Sequence, residues 1–340
     1  MDFENLDSVT AVFEEVKKAN NDSGIYKLGW QALNRMLQGG LRRSVDNLVT
    51  IAALPHRGKS MFSLSIFMQI AQYNTPIVLP GEEGKKPLLL RISLEDSLMN
   101  NLQFMYQYLK ASEGTFIKPS ELSKIDAKEM TQYVTEKMTA NGFHIKMMRV
   151  NPSEWGYMNV INKIIELEAQ GYCIHVLVID YALLLNTVGC TVGPLGAEKR
   201  DLLRRLRNYC ASRNIIFITP VQLSTEALNL IRAGIPNEEF LSHISQKSYY
   251  DGSKTISQEI DLELYIHLFS HKKNKYLAVH RGKHRIPTII GDEDMQFFLR
   301  FPGPNIPILP DLDKEDSSYS KLPKDIGNTG ADNILEEVLG

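Results

Sequence analysis

Apolar positions along the chain fall into short runs, and the segments between them carry helical spacing. Residues 48–53, 88–93, 144–150, 176–180, 215–219, 262–269 and 276–280 read as strands. Long helical patterns separate the first five of these. That alternation predicts an α/β fold with a mainly parallel sheet flanked by helices. From 262 to 301 the spacings shorten, which reads as antiparallel hairpins added at the C-terminal edge of the sheet. Residues 1–24 form a polar arm in which Val9, Val12, Phe13 and Val16 follow i, i+3, i+4, i+7 spacing behind Asp7 as an N-cap. This predicts one amphipathic helix, which either folds back on its own domain or docks on a neighbouring subunit. The domain proper spans 25–301. Residues 302–340 carry five prolines and, with eight acids against three lysines, a net charge of -5. They read as a solvated, disordered tail that ends with Ile334, Leu335, Val338 and Leu339 on an acidic background.

Composition narrows the function classes. The 340 residues carry 38 Lys plus Arg and 40 Asp plus Glu, a formal charge of -2. That balance excludes a histone-like or polyanionic chain and leaves room for a local basic channel. The most apolar run, 174–185, is interrupted by His175, Asp180 and Tyr181, so no membrane-spanning helix is expected. The acidic start MDFENLDSV is not a secretory signal. Cys173, Cys190 and Cys210 show no metal or disulfide spacing, and a reducing cytoplasm is the expected compartment, the host's if the chain is phage-encoded. His267 and His271 share a strand face without other ligands, so no zinc site is expected there.

Ala53-Leu54-Pro55-His56-Arg57-Gly58-Lys59-Ser60 follows a predicted strand and opens a helical run from Met61. It is a Walker A loop with Ala in the first glycine position. Residues Pro55, His56, Arg57, Gly58, Lys59, Ser60 and Met61 are the expected nucleotide cradle, because loop N–H groups and a helix N-terminus suit phosphate. Lys59 is expected on the outer phosphates of ATP and Ser60 on Mg2+. The apolar strand 174–179 ends in Asp180, a Walker B carboxylate for metal geometry. A further apolar strand, 88–93, leads to Glu95, where a general base for the attacking water belongs. The run IIFITPVQ places the amide of Gln222 at the end of a neighbouring strand, as a γ-phosphate sensor.

In this order the elements resemble the RecA-like ATPase domain of the DnaB-family replicative helicases. The matching residues are Ala53 and Pro55 in the P-loop, Ser93-Leu94-Glu95, Ile179-Asp180-Tyr181, Gln222-Leu223 and the segment 256–261 that enters the next strand. Lys283-His284-Arg285 falls at that family's Lys-x-Arg. The resemblance covers about 25–301. It implies ATP hydrolysis at subunit interfaces of a homo-oligomer, a hexameric ring, with Lys283 and Arg285 completing a neighbour's site. It also implies single-stranded DNA in a central pore, and a primase, a loader or another replisome protein as partners. The arm at 5–19 resembles the family's linker helix, and the family's N-terminal primase-binding domain has no counterpart here, as in a compact phage-type helicase. Ile286-Pro287 replaces the usual Asn-Gly, and Ser224-Thr225 replaces the family's Arg after Gln-Leu.

Two pore loops are expected, about 186–197 and 224–255. The first is rich in glycine. In the second, Lys247, Ser253 and Lys254 are the expected phosphate contacts, with Tyr249 or Tyr250 available to stack on a base. Lys199, Arg200, Arg204, Arg205 and Arg207 form the densest basic cluster, which reads as a solvated or interface-pairing helix face. Two other functions are compatible with the same core: a filament-forming recombinase or recombination mediator, and a helicase-derived binding module with little turnover. The Ala-x-Pro loop with Ser-Leu-Glu argues against the first. The intact Lys59, Glu95 and Asp180 argue against the second.

Overall fold

The computed structural model describes residues 5–7, 9–10, 13, 24–194, 196–245, 247–251, 255–286, 291–303 and 306–323. A short antiparallel ribbon, β1 (Ile25–Tyr26) with β2 (Leu41–Arg42), precedes the main sheet. That sheet contains β3 (Val49–Ala53), β4 (Lys86–Ser93), β5 (His144–Arg149), β6 (Tyr172–Asp180), β7 (Ile216–Gln222), β8 (Leu262–His271), β9 (Asn274–His284) and β10 (Gln296–Arg300). Their order across it is β10-β9-β8-β3-β7-β6-β4-β5. Strands β3 to β8 run parallel, whereas β9 and β10 are antiparallel additions at one edge. This is the mainly parallel α/β architecture expected, with the hairpin strands at the C-terminal edge.

The central strands read as unbroken apolar runs because helices cover both faces. On one face the helix Lys59–Tyr73 buries Phe62, Ile66, Phe67 and Ile70. On the other, the helices Tyr157–Ala169 and Ala197–Ala211 bury Val160, Ile164, Leu202 and Leu206. Because β3, β4, β6 and β7 are parallel, their C-terminal ends all open on one rim. In sheets of this kind ligands bind there.

Two expectations change. The loop expected over 224–255 contains the helices Thr225–Arg232 and Phe240–Ile244. The acidic, proline-rich stretch does not leave the domain at residue 302. Ile306 and Ile308 are buried, Trp30 Nε1 donates to the Leu309 carbonyl at 3.0 Å, and Asp311 accepts from the Gln31 N–H at 2.7 Å. Phe298 and Tyr319 then exchange backbone bonds at the sheet edge. Apolar anchors among the prolines therefore outweigh the solvating charge as far as about 320. Residues 324–340, with the apolar tetrad, lie outside the described residues, as do Val12 and Val16 of the arm. Leu6 and Phe13 of the arm are exposed.

Candidate active site

The loop after β3 is shaped by two left-handed residues, His56 at φ 56° and Gly58 at φ 84°. Gly58 caps the helix that begins at Lys59, so the helix N-terminus faces the rim. Lys59 Nζ donates to the Leu54 carbonyl at 3.1 Å, which folds the lysine back over its own loop. Partial burial lowers the Lys59 pKa from its ordinary value, against the pull of Glu95 and Asp180. The Arg57 side chain turns away, Nη1 donating to the Leu268 carbonyl on β8 at 2.8 Å.

Neighbouring strands bring the other groups to the same place. Ser93 on β4 pairs with Asp180 on β6, and the Leu94 N–H donates to the Asp180 carbonyl at 2.8 Å. That bond fixes the turn carrying exposed Glu95 beside the Walker B strand. On the opposite side of β6, the Leu223 N–H donates to the Ala53 carbonyl at 2.9 Å, seating Gln222 next to the P-loop. A pocket of about 460 Å³ results, lined by 55–61 with Glu95, Asp96, Tyr181 and Gln222. The sequence-predicted Lys59, Ser60, Glu95 and Gln222 thus converge, with Asp180 directly beneath them.

Arg91 was not among the residues anticipated. It lies on β4, wholly buried, and its Nη2 donates to Asp180 Oδ2 at 2.6 Å. Its Nη1 donates to Ser63 Oγ and its Nε to Asn101 Oδ1, both at 3.2 Å. The only sequence signal is a cation interrupting the apolar run LLLRIS. Burial raises the Asp180 pKa above the ordinary carboxylate value, opposed by Arg91 and by the Ser60 hydroxyl. Asp180 Oδ1 is buried and has no hydrogen-bond partner among the described residues. An orphaned carboxylate oxygen near a hydroxyl at a helix N-terminus fits a hydrated divalent cation held by Ser60 and Asp180.

Lys283 and Arg285 are elsewhere. Lys283 Nζ donates to the Ser257 carbonyl at 3.0 Å, and Arg285 Nη2 to the Gln258 carbonyl at 3.1 Å. They share the turn 256–258 and do not line the P-loop pocket. The basic cluster is paired within the chain: Arg200 with Glu259, Arg204 and Arg205 with Asp201, and Arg207 with Asp261. Tyr250 is buried with its hydroxyl on Glu263, so it does not present a ring for stacking; Tyr249 is half-buried against the core. Lys247 is exposed, whereas Ser253 and Lys254 lie outside the described residues.

His267 Nε2 lies 2.9 Å from Asn237 Oδ1, and its ring packs tilted against Phe240 and stacks on Phe269. At the other end of the sheet Glu82, Cys173 and His175 form a group with metal-ligating atoms. Arg43 occupies it, both guanidinium nitrogens on the Glu82 carboxylate at 2.7 Å, and its charge opposes a cation there.

A family model described as "Divergent DnaB-like ATPase" matches residues 1–331. No curated protein sequence gives a match. Among solved structures, the ATPase domain of G40P superposes with a TM-score of 0.62 at 18% identity, covering 88% of this chain and 96% of that one. A DnaB-like replicative helicase, solved in a study of its interactions with primase, gives 0.61 at 17% identity, covering 88% of this chain and 65% of that longer one. Likeness at these identities concerns the fold.

Proposed function

The chain belongs to the divergent DnaB-like ATPase family, and from that premise we propose that it is an ATP-driven, ring-forming DNA helicase. The observation that carries this reading is the division of the site. Lys59, Ser60, Glu95 and Gln222 surround one pocket, whereas the cationic pair Lys283 and Arg285 sits apart, at the end of β9 beside the turn 256–258. A pocket whose lining cations, Arg57 and Lys59, both come from the P-loop, in a chain that carries Lys283 and Arg285 away from it, suits a head-to-tail assembly.

In this reading the loop N–H groups and Lys59 hold the ATP phosphates. Ser60 and Asp180 hold Mg2+, which when bound offsets charge on the β- and γ-oxygens. Glu95 takes the proton of the attacking water. Gln222 reports the γ-phosphate to the segment that follows it. A neighbour's Lys283 and Arg285 stabilise charge developing on the transferred group. Single-stranded DNA is assigned to the segments 186–197 and 224–255, with Lys247, Ser253 and Lys254 as phosphate contacts. The exposed Leu6 and Phe13 support an arm that docks on the neighbouring subunit. A primase or loader as partner is part of the same proposal, as is a cytoplasmic site of action.

Electron microscopy with an ATP analogue and single-stranded DNA tests the assembly. Closed rings support the reading. Helical filaments would replace it with the recombinase alternative.

A further inference from the structure

Strand β9 does not pair evenly with β8. Leu262 faces His284 and Leu264 faces Arg281, so Glu263 alone opposes both Gly282 and Lys283. A bulge of this kind takes a backbone group out of the ladder and re-aims the adjacent side chain. Here the displaced Lys283 N–H donates to Glu263 Oε2 at 3.1 Å. The approach is close: a Cβ on Gly282 would lie 2.9 Å from Glu263 Oε2 and 2.6 Å from the Tyr265 ring. Only glycine leaves room for the carboxylate to reach the bulge.

Glu263 is 4% exposed. An apolar residue would suit a buried strand position better, because a buried carboxylate is costly unless both oxygens are bonded. The second oxygen accepts from the Tyr250 hydroxyl at 2.7 Å. Tyr250 belongs to the segment paired with the chain beyond Gln222. It bridges Leu223, while the Asp251 N–H donates to the Gln222 carbonyl at 2.9 Å. Leu223 in turn is bonded to Ala53 at the base of the P-loop, at 2.9 Å. A continuous run of hydrogen bonds therefore leads from the nucleotide loop, past Gln222, to the backbone of Lys283. Its far end, Glu263 with Gly282 and Lys283, lines a cleft of about 850 Å³.

We propose that Glu263 is a positioning residue for Lys283 and that Tyr250 makes this positioning depend on the segment after Gln222. With Tyr250 seated, both carboxylate oxygens are bonded and the bulge is fixed. With Tyr250 withdrawn, the bulge loses one of its supports and Lys283 its set direction. A subunit's own nucleotide thus governs the cation it offers to its neighbour. The inference rests on the reading that Lys283 and Arg285 act on the next subunit's ATP.

Steady-state ATP hydrolysis by mixed assemblies tests it, with Arg285→Ala plus Lys59→Ala as the control for a shared site. Glu263→Gln keeps the shape but presents a donor where an acceptor is needed. Alone it should lower kcat roughly tenfold at unchanged KM, with Tyr250→Phe changing kcat in the same direction by less. Mixed with Lys59→Ala subunits, Glu263→Gln should recover activity above either variant alone, because its intact P-loop then meets an intact Lys283. Recovery in the control but not with Glu263→Gln overturns the inference and leaves the shared-site reading standing. Recovery in neither overturns both. If Glu263→Gln loses its thermal unfolding transition, Tyr250→Phe, which removes one hydroxyl, carries the same test.

Discussion

Arg285 Nε lies 2.9 Å from Asp261 Oδ1. The same buried carboxylate accepts two bonds from Arg207, at 2.8 and 2.7 Å, and one from the Leu48 N–H at 3.0 Å. Asp261 therefore holds Arg285 without depending on it. Arg285→Ala should cost under about 1 kcal/mol of stability, because Arg285 itself is partly exposed and Arg207 remains on Asp261. Asp261→Ala should cost about 3 kcal/mol, since Arg207 and a strand N–H lose their partner together. Denaturant unfolding checks both. Turnover with single-stranded DNA should fall sharply for Arg285→Ala despite its intact fold, and a wild-type rate would remove its assigned role.

Lys59→Ala should abolish nucleotide binding, because the phosphates lose the cation that sits on their loop. Glu95→Gln should keep binding and lose most turnover, since only proton acceptance is removed. Fluorescent-nucleotide titration beside single-turnover hydrolysis separates the two. Equal loss of binding in both variants would contradict the assignment.

Arg91 and Asp180 are both almost completely buried, so neither charge has solvent to fall back on. Arg91→Met should destabilise the fold by about 3–5 kcal/mol, the usual cost of stranding one member of a buried pair. Adding Asp180→Asn removes the stranded charge and should restore much of that loss. Urea unfolding of the single and double variants measures the coupling. Additive losses would mean that the pair is not a pair.

Much of this was legible in the chain itself. The P-loop, Glu95, Asp180 and Gln222 each end an apolar run, and parallel pairing necessarily brings such ends to one rim. What the runs do not reveal is which residue sits across from which. Arg91 and Asp180 are 89 positions apart, and nothing local marks them as partners. Glu263 and the bulge it fills depend on a slip in register, which leaves no compositional trace. The helix Thr225–Arg232 was hidden because only Ala227 of its face is buried. The stretch after residue 302 misled because its prolines and acids outnumber the few anchors, Ile306 and Ile308, that hold it.

Burial lowers the pKa of three histidines, His175 to about 3 and His267 and His280 to about 4. The unfolded chain takes up their protons near pH 6.5, while the folded chain resists until near pH 4. Stability contributed by the neutral rings is complete above about pH 6.5 and is lost as pH falls below it. The slope should be on the order of 1 kcal/mol per pH unit for each ring. Chemical denaturation at intervals between pH 7 and pH 4.5 should show this decline. A flat profile would mean that the rings are protonated in the folded chain.

Strand separation on a forked duplex tests the central claim most directly. The wild-type chain with ATP and Mg2+ should release the labelled strand, with no release for Lys59→Ala or with a non-hydrolysable analogue. ATP hydrolysis stimulated by single-stranded DNA, with the fork left intact under all these conditions, would contradict the helicase account.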